Sequence, residues 1–206
     1  MMKRLLTTAS LALAMATLAG LPTGSARADE APAATGDVPA AELQEARGLM
    51  KAFATRLMGE LQNGIEDGGP AHAIGVCGAV APAIAGSVSD QGGWAIGRTA
   101  LKVRNPRNSP SVRERAVLMD FQQRHAAGED FKNMESAAII EEGNRRYLHY
   151  MKAIPTQDLC LACHGSDVAP EVQQAIHARY PADAATGFAL GELRGAFTFV
   201  KPLTPN

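Results

Sequence analysis

The stretch Cys160-Leu161-Ala162-Cys163-His164 constrains this chain more than any other. Cys-x-x-Cys-His is the attachment signature of c-type haem. The chemistry needs this spacing. Two thiols must reach the vinyl groups on one porphyrin edge and form thioethers, and the histidine then brings its imidazole under the iron as the proximal ligand. A thioredoxin-like redox pair shares Cys-x-x-Cys but has no use for His164. A zinc site would need a second ligand pair at similar spacing, and the sequence offers none. Cys160 and Cys163 are therefore the expected thioether carriers of one covalent haem c, and His164 the expected iron ligand.

The start of the chain supports that reading. Lys3 and Arg4 precede an apolar run from Leu5 to Leu21, and Ala26-Arg27-Ala28 forms an A-x-A cleavage site. Residues 1–28 read as a secretory signal peptide, residues 29–40 as an Ala/Pro-rich disordered linker, and residues 41–206 as a single domain. The expected location is the periplasm, with no membrane span once the signal is cleaved. The mature part carries 17 basic against 21 acidic residues. That balance argues against a nucleic-acid partner held by phosphate contacts. Of three cysteines, the motif uses two. Cys77 is left alone in an oxidising compartment, where an unpaired thiol is a liability.

Hydrophobic spacing outlines the elements. Leu43, Ala46, Met50, Phe53, Leu57, Leu61 and Ile65 recur at helical steps from Ala41 to about Glu66. Such a stripe serves core packing or a dimer seam. Asp67-Gly68-Gly69-Pro70 breaks the helix, and a small, apolar second helix runs from about Ala71 to Val88 and carries Cys77. Trp94 to Arg104 alternates with period two, which reads as a strand with Arg98, Lys102 and Arg104 on one face. Ser111 and Glu114 predict a capping box for a helix through about Ala126. Phe131 to Ile140 and Tyr147 to Ile154 read as strands of a hairpin turning near Glu142-Gly143-Asn144. A short helix from Pro170, a Gly-rich loop and a last strand from Gly195 to Leu203 follow the motif. The order gives an α+β class with an antiparallel sheet.

Taken together, several segments resemble the c-type haem, PAS-like domain family. They are Val76-Cys77, Gly97-Arg98-Thr99, Arg104-Asn105-Pro106 with Asn108, Arg146-Tyr147-Leu148, the Cys-x-x-Cys-His-Gly run, Tyr180-Pro181-Ala182-Asp183 and Arg194-Gly195-Ala196. Members of that family occur as exported mono-haem proteins and as extracytoplasmic sensor domains of histidine kinases. The resemblance implies a PAS-like antiparallel sheet flanked by helices, with a long N-terminal amphipathic helix. It also implies His/Cys axial ligation, with His164 proximal and Cys77 distal.

Other residues keep two readings open. Arg98, Lys102 and Arg104 suit haem propionates, because guanidinium forks match carboxylates, or they form a solvated face. Met119, Met134 and Met151 offer a His/Met alternative at the iron. His72, His125, His149 and His177 read as surface or structural histidines. Tyr180 and Asp183 are expected to organise the loop after the motif. The function expected is a redox or small-gas sensor, with CO or NO as ligand of the reduced haem. An electron-transfer cytochrome c is the alternative. A filled sixth position argues against an enzyme. The redox or signalling partner is unspecified, and the N-terminal helix is the candidate dimer contact.

Overall fold

The computed structural model describes residues 37–204, except the side chain of Cys77. The expected signal peptide and most of the linker lie outside the described residues. In chain order the elements are α1 (Ala40–Ser89), β1 (Ala95–Thr99), α2 (Val112–Ala126), β2 (Glu135–Glu142), β3 (Arg145–Pro155), α3 (Asp158–His164), α4 (Pro170–Arg179) and β4 (Leu193–Leu203). The four strands form one antiparallel sheet in the order β1-β4-β3-β2. The fold is α+β, as expected.

α1 is two helical segments in one run. Gly68 and Gly69 leave helical geometry, and Gly69 adopts φ 75° and ψ −179°, a region open essentially to glycine alone. Pro70 then opens the second segment, where its missing N–H costs little. The first segment lays its stripe on the sheet. Ala46, Phe53 and Leu57 are buried with Trp94, Leu148, Tyr150 and Phe199, and Phe53 meets Phe197 and Phe199 edge-on. Core packing is thus the use the first segment makes of its stripe. Two polar clamps hold this segment down. Lys201 reaches Glu42 (2.7 Å) and Glu45 (2.9 Å), and Arg47 pairs with Glu135. Glu135 also accepts the Tyr150 hydroxyl at 3.0 Å.

The opposite face of the sheet takes α2. Ser111 and Glu114 close the expected capping box, and Val117, Leu118 and Phe121 pack on Met134, Met151, Ala153 and Ala196. Met134 and Met151 are fully buried there, and Met119 is exposed.

Two expected strands are shorter than their hydrophobic patterns. The strand over Trp94 to Arg104 stops at Thr99, so Arg98 lies on β1 while Lys102 and Arg104 lie in the loop beyond it. The ladder ends because the loop recaptures its hydrogen bonds: the Ala100 amide and the Thr99 hydroxyl both donate to the Asn108 carbonyl at 3.3 Å. β2 likewise begins at Glu135 rather than Phe131. The Asp130 carboxylate accepts the Lys132 amide and winds Phe131–Asn133 into a 3-10 turn. Among the described residues no single helix is long and apolar enough to cross a membrane.

Candidate functional site

The motif sits on α3. Cys160, Cys163 and His164 are spaced i, i+3 and i+4, so one face of the helix carries all three. Cys160 is half-buried, Cys163 is buried, and no disulfide joins them. The helix ends at Gly165, whose amide returns to the Leu161 carbonyl at 2.9 Å. A Cβ there would lie 2.7 Å from that same carbonyl oxygen, so the turn requires glycine. α4 packs behind the motif. Val172 and Ile176 bury Cys163 and Val168 together with Ile74 of α1.

The loop after α4 forms the other wall. The amides of Gly187 and Phe188 donate to the carbonyls of Gly165 and His164, both at 2.9 Å. Asp183 organises the loop as expected: its carboxylate accepts the Ala185 amide (3.0 Å) and pairs with Arg104 at 3.2 Å. Arg104 also donates to the carbonyls of Cys163 (2.6 Å) and Ala185 (3.4 Å). One buried guanidinium thus lashes the β1–α2 loop, the motif helix and the glycine-rich loop together.

His164 is the centre of this arrangement. Its Nδ1 lies 2.6 Å from the Ala185 carbonyl. A carbonyl can only accept, so the proton is on Nδ1 and Nε2 keeps its lone pair. Burial pushes the imidazole pKa down to about 3, with Arg194, Arg104 and Arg98 adding to the effect. The ring is therefore neutral with an unprotonated Nε2, held by a backbone carbonyl on its other nitrogen. Metal-bound histidines have this arrangement. Phe188 meets the ring edge-on, its centroid 6.3 Å away.

Positive charge gathers on the Nε2 side. Arg194, at the start of β4, points a guanidinium nitrogen at Nε2 from 3.4 Å and lies over Phe188. Burial brings the Arg194 pKa down to about 10, helped by Arg104 and Arg98. Lys102 covers the same Phe188 ring at 4.3 Å and donates to the Thr186 carbonyl. Arg98, Lys102, Arg104 and Arg194 gather here, and Arg104 engages the Asp183 carboxylate. Such a concentration of cations suits a ligand that carries negative charge.

The side chain of Cys77 lies outside the described residues. The backbone nevertheless places position 77 on α1, one turn past Ile74, which packs with Cys163. The next residue, Gly78, lies so close to α4's end that a Cβ would come within 2.6 Å of the Tyr180 hydroxyl. The second segment of α1 therefore docks on the motif unit at this level.

A family model described as Tll0287-like (Tll0287) matches residues 26–202. The chain belongs to the Tll0287-like family. The crystal structure of the cyanobacterial heme-protein Tll0287 is similar to it with a TM-score of 0.62 at 26% identity, over 82% of this chain and 99% of that one. No curated protein matches.

Within this Tll0287-like fold, Cys160, Cys163, His164, Arg98, Lys102 and Arg104 converge on one region. Met134 and Met151 belong to the α2 core instead. His149 is buried under α2, and His72 and His177 are exposed. Reading the residues gave no role to Arg194 or Phe188. Arg194 was visible only as part of the Arg-Gly-Ala run, and a lone phenylalanine in a glycine-rich loop carries no periodic signal.

Proposed function

We propose that this chain is an exported, mono-haem c-type protein that acts as a redox or small-gas sensor. Haem is carried as thioethers on Cys160 and Cys163, with His164 as proximal and Cys77 as distal iron ligand. The observation that carries this reading is the neutral His164, its Nδ1–H on the Ala185 carbonyl and its Nε2 unprotonated, on one helical face with two thiols that no disulfide joins. The likeness to a haem protein over nearly all of that protein's length supports it further. The antiparallel sheet with helices on both faces supports the PAS-like description. Among the described residues no three His, Cys, Asp or Glu side chains gather as a bare ion would need. A porphyrin fills the equatorial positions itself and asks the protein only for axial donors.

When bound, haem supplies a one-electron iron couple and a site for a diatomic gas. The chain's own residues do the rest. Ala185 fixes the His164 tautomer and raises its basicity. Arg194 must turn away from Nε2 for a metal to take its place, and with Arg98 and Lys102 it offers charge to the propionates. Arg104 is engaged by Asp183 and backbone carbonyls, so its role is to hold the loop. A thiolate at position 77 would favour the ferric state and lower the potential, since axial-ligand identity moves haem potentials over roughly 0.8 V.

The test is the pair of wild type and Cys77→Ala, compared by absorption, electron paramagnetic resonance and redox titration. Wild-type ferric protein is expected to be six-coordinate and low-spin with a thiolate signature. Cys77→Ala should turn high-spin or take water, and its potential should rise. An unchanged spectrum and potential would favour a different sixth ligand and the electron-carrier reading. CO or NO binding to the reduced protein that alters hydrogen exchange across residues 71–88 would favour the sensor, because a sensor must bias a two-state element.

A further inference from the structure

The Ala185 carbonyl serves two donors. His164 Nδ1 lies 2.6 Å from it, and a terminal nitrogen of Arg104 lies 3.4 Å from it. The same Arg104 nitrogen donates to the Cys163 carbonyl at 2.6 Å. That carbonyl is among the last of α3, where the helix offers no internal partner. Asp183 completes the group. Its two oxygens accept from the Arg104 Nε and the terminal nitrogen, both at 3.2 Å. One of those oxygens also accepts the Ala185 amide at 3.0 Å. A cation and its carboxylate thus converge on the residue that takes the proton of His164.

Arg104 helps to hold the loop, but main-chain bonds close it as well. The amide of Ala184 donates to the Val103 carbonyl, Gly187 to Gly165 and Phe188 to His164, each at 2.9 Å. None of these uses a charge. The Arg104 and Asp183 side chains are only 11% and 10% exposed. A buried ion pair is weak evidence of a purely stabilising role, since an apolar pair of the same volume is often as stable or more so. What the pair adds is a charge fixed relative to His164, in a setting that salt and water screen little. A cationic donor on the Ala185 carbonyl also competes with Nδ1–H for its lone pairs. The hydrogen bond that raises the basicity of a ligating histidine is thereby weakened.

We propose that Arg104, with Asp183 as its counter-ion, is a positioning residue that acts through the Ala185 carbonyl to set how strongly His164 donates to iron, and so sets the reduction potential. The proposal rests on the haem reading above. The two side chains push in opposite directions. The Arg104 cation disfavours the ferric form, both by its charge and by drawing on the carbonyl. The Asp183 carboxylate offsets that charge. Neutralising one partner should therefore move the potential one way, and neutralising the other should move it the opposite way. A loop that is merely loosened would move it in the same direction whichever partner is lost.

Holoprotein made with a cytochrome c maturation system is checked by intact mass for one covalent haem, then titrated potentiometrically while absorption is followed. Asp183→Asn should raise the potential and Arg104→Gln should lower it. Each shift should be roughly tenfold in the oxidised-to-reduced ratio, about 59 mV for one electron. Arg104→Lys keeps the charge and should stay near wild type. The Arg104→Gln, Asp183→Asn double variant leaves no unpaired charge and should lie between the two singles. Both singles should unfold at lower urea, so the sign of the potential shift carries the test. If one single does not fold, the double variant compared with the other single supplies that sign. Shifts of the same sign, a change below about twofold in both singles, or an Arg104→Lys shift as large as that of Arg104→Gln would overturn the proposal. Wild-type polypeptide without covalent haem would overturn the haem reading itself, and the proposal with it.

Discussion

His149 and His164 are both buried, neutral imidazoles, but different partners hold them. His164 gives its proton to a carbonyl and keeps an unprotonated Nε2 that faces Arg194 at 3.4 Å. His149 accepts from Arg113 and donates to Thr198, with both nitrogens used inside the protein. Burial lowers the His149 pKa from 6.5 to about 4. Between those values the unfolded chain binds a proton that the folded chain does not. The contribution is therefore complete above pH 6.5 and is lost as pH falls toward 4, by about 3 kcal/mol in all. Urea unfolding at about pH 7 and about pH 4.5 should show a larger loss for wild type than for His149→Gln, which cannot titrate. Equal losses would mean that His149 is not buried neutral. The motif marked His164, while His149 is one polar residue in an apolar strand, and only the register that brings Thr198 and Arg113 to it assigns its role.

At the scale of elements, much was legible where local chemistry decides. The capping box at Ser111, the break before Pro70 and the Gly143-Asn144 turn all lie where the residues placed them. The overlong strands failed for one reason: alternation persists through segments whose hydrogen bonds go to a loop carbonyl or an Asp side chain, and neither partner is visible in a window of apolar spacing. Gly69 and Gly59 test the break in α1. Neither Cβ would meet another atom, but only Gly69 has a positive φ. Gly69→Ala should cost about 1–3 kcal/mol of stability, whereas Gly59→Ala in the helical part should gain about 0.5–1 kcal/mol. A neutral Gly69→Ala in chemical denaturation would mean the break is not fixed. The glycine-rich loop offers a second test. Asp183 and Arg104 side chains are only 10% and 11% exposed, so Asp183→Asn leaves a buried guanidinium without its counter-charge. Unfolding stability should fall by about 3 kcal/mol. A double-mutant cycle with Arg104→Met should recover part of that loss, and additive losses would show that the two side chains do not act as a pair.

For the whole molecule, the sheet separates two regions. The first segment of α1, clamped through Lys201 and Arg47, packs with the sheet into a rigid core. The second segment, past Gly69, bridges that core and the motif unit, since Ile84 and Val88 pack on the sheet cluster and Ile74 on the Cys163 cluster. A change at the motif therefore has a direct route to the sheet, as a sensing reading requires. The central claim comes before any sensing: the chain holds one haem through Cys160 and Cys163. The most direct test is the intact mass of protein made with a cytochrome c maturation system, taken before and after extraction with acidified organic solvent. The account predicts a mass one haem above the polypeptide that survives extraction, and loss of that increment from the Cys160→Ala, Cys163→Ala double variant. A bare polypeptide mass, or haem that leaves in the solvent, would contradict it.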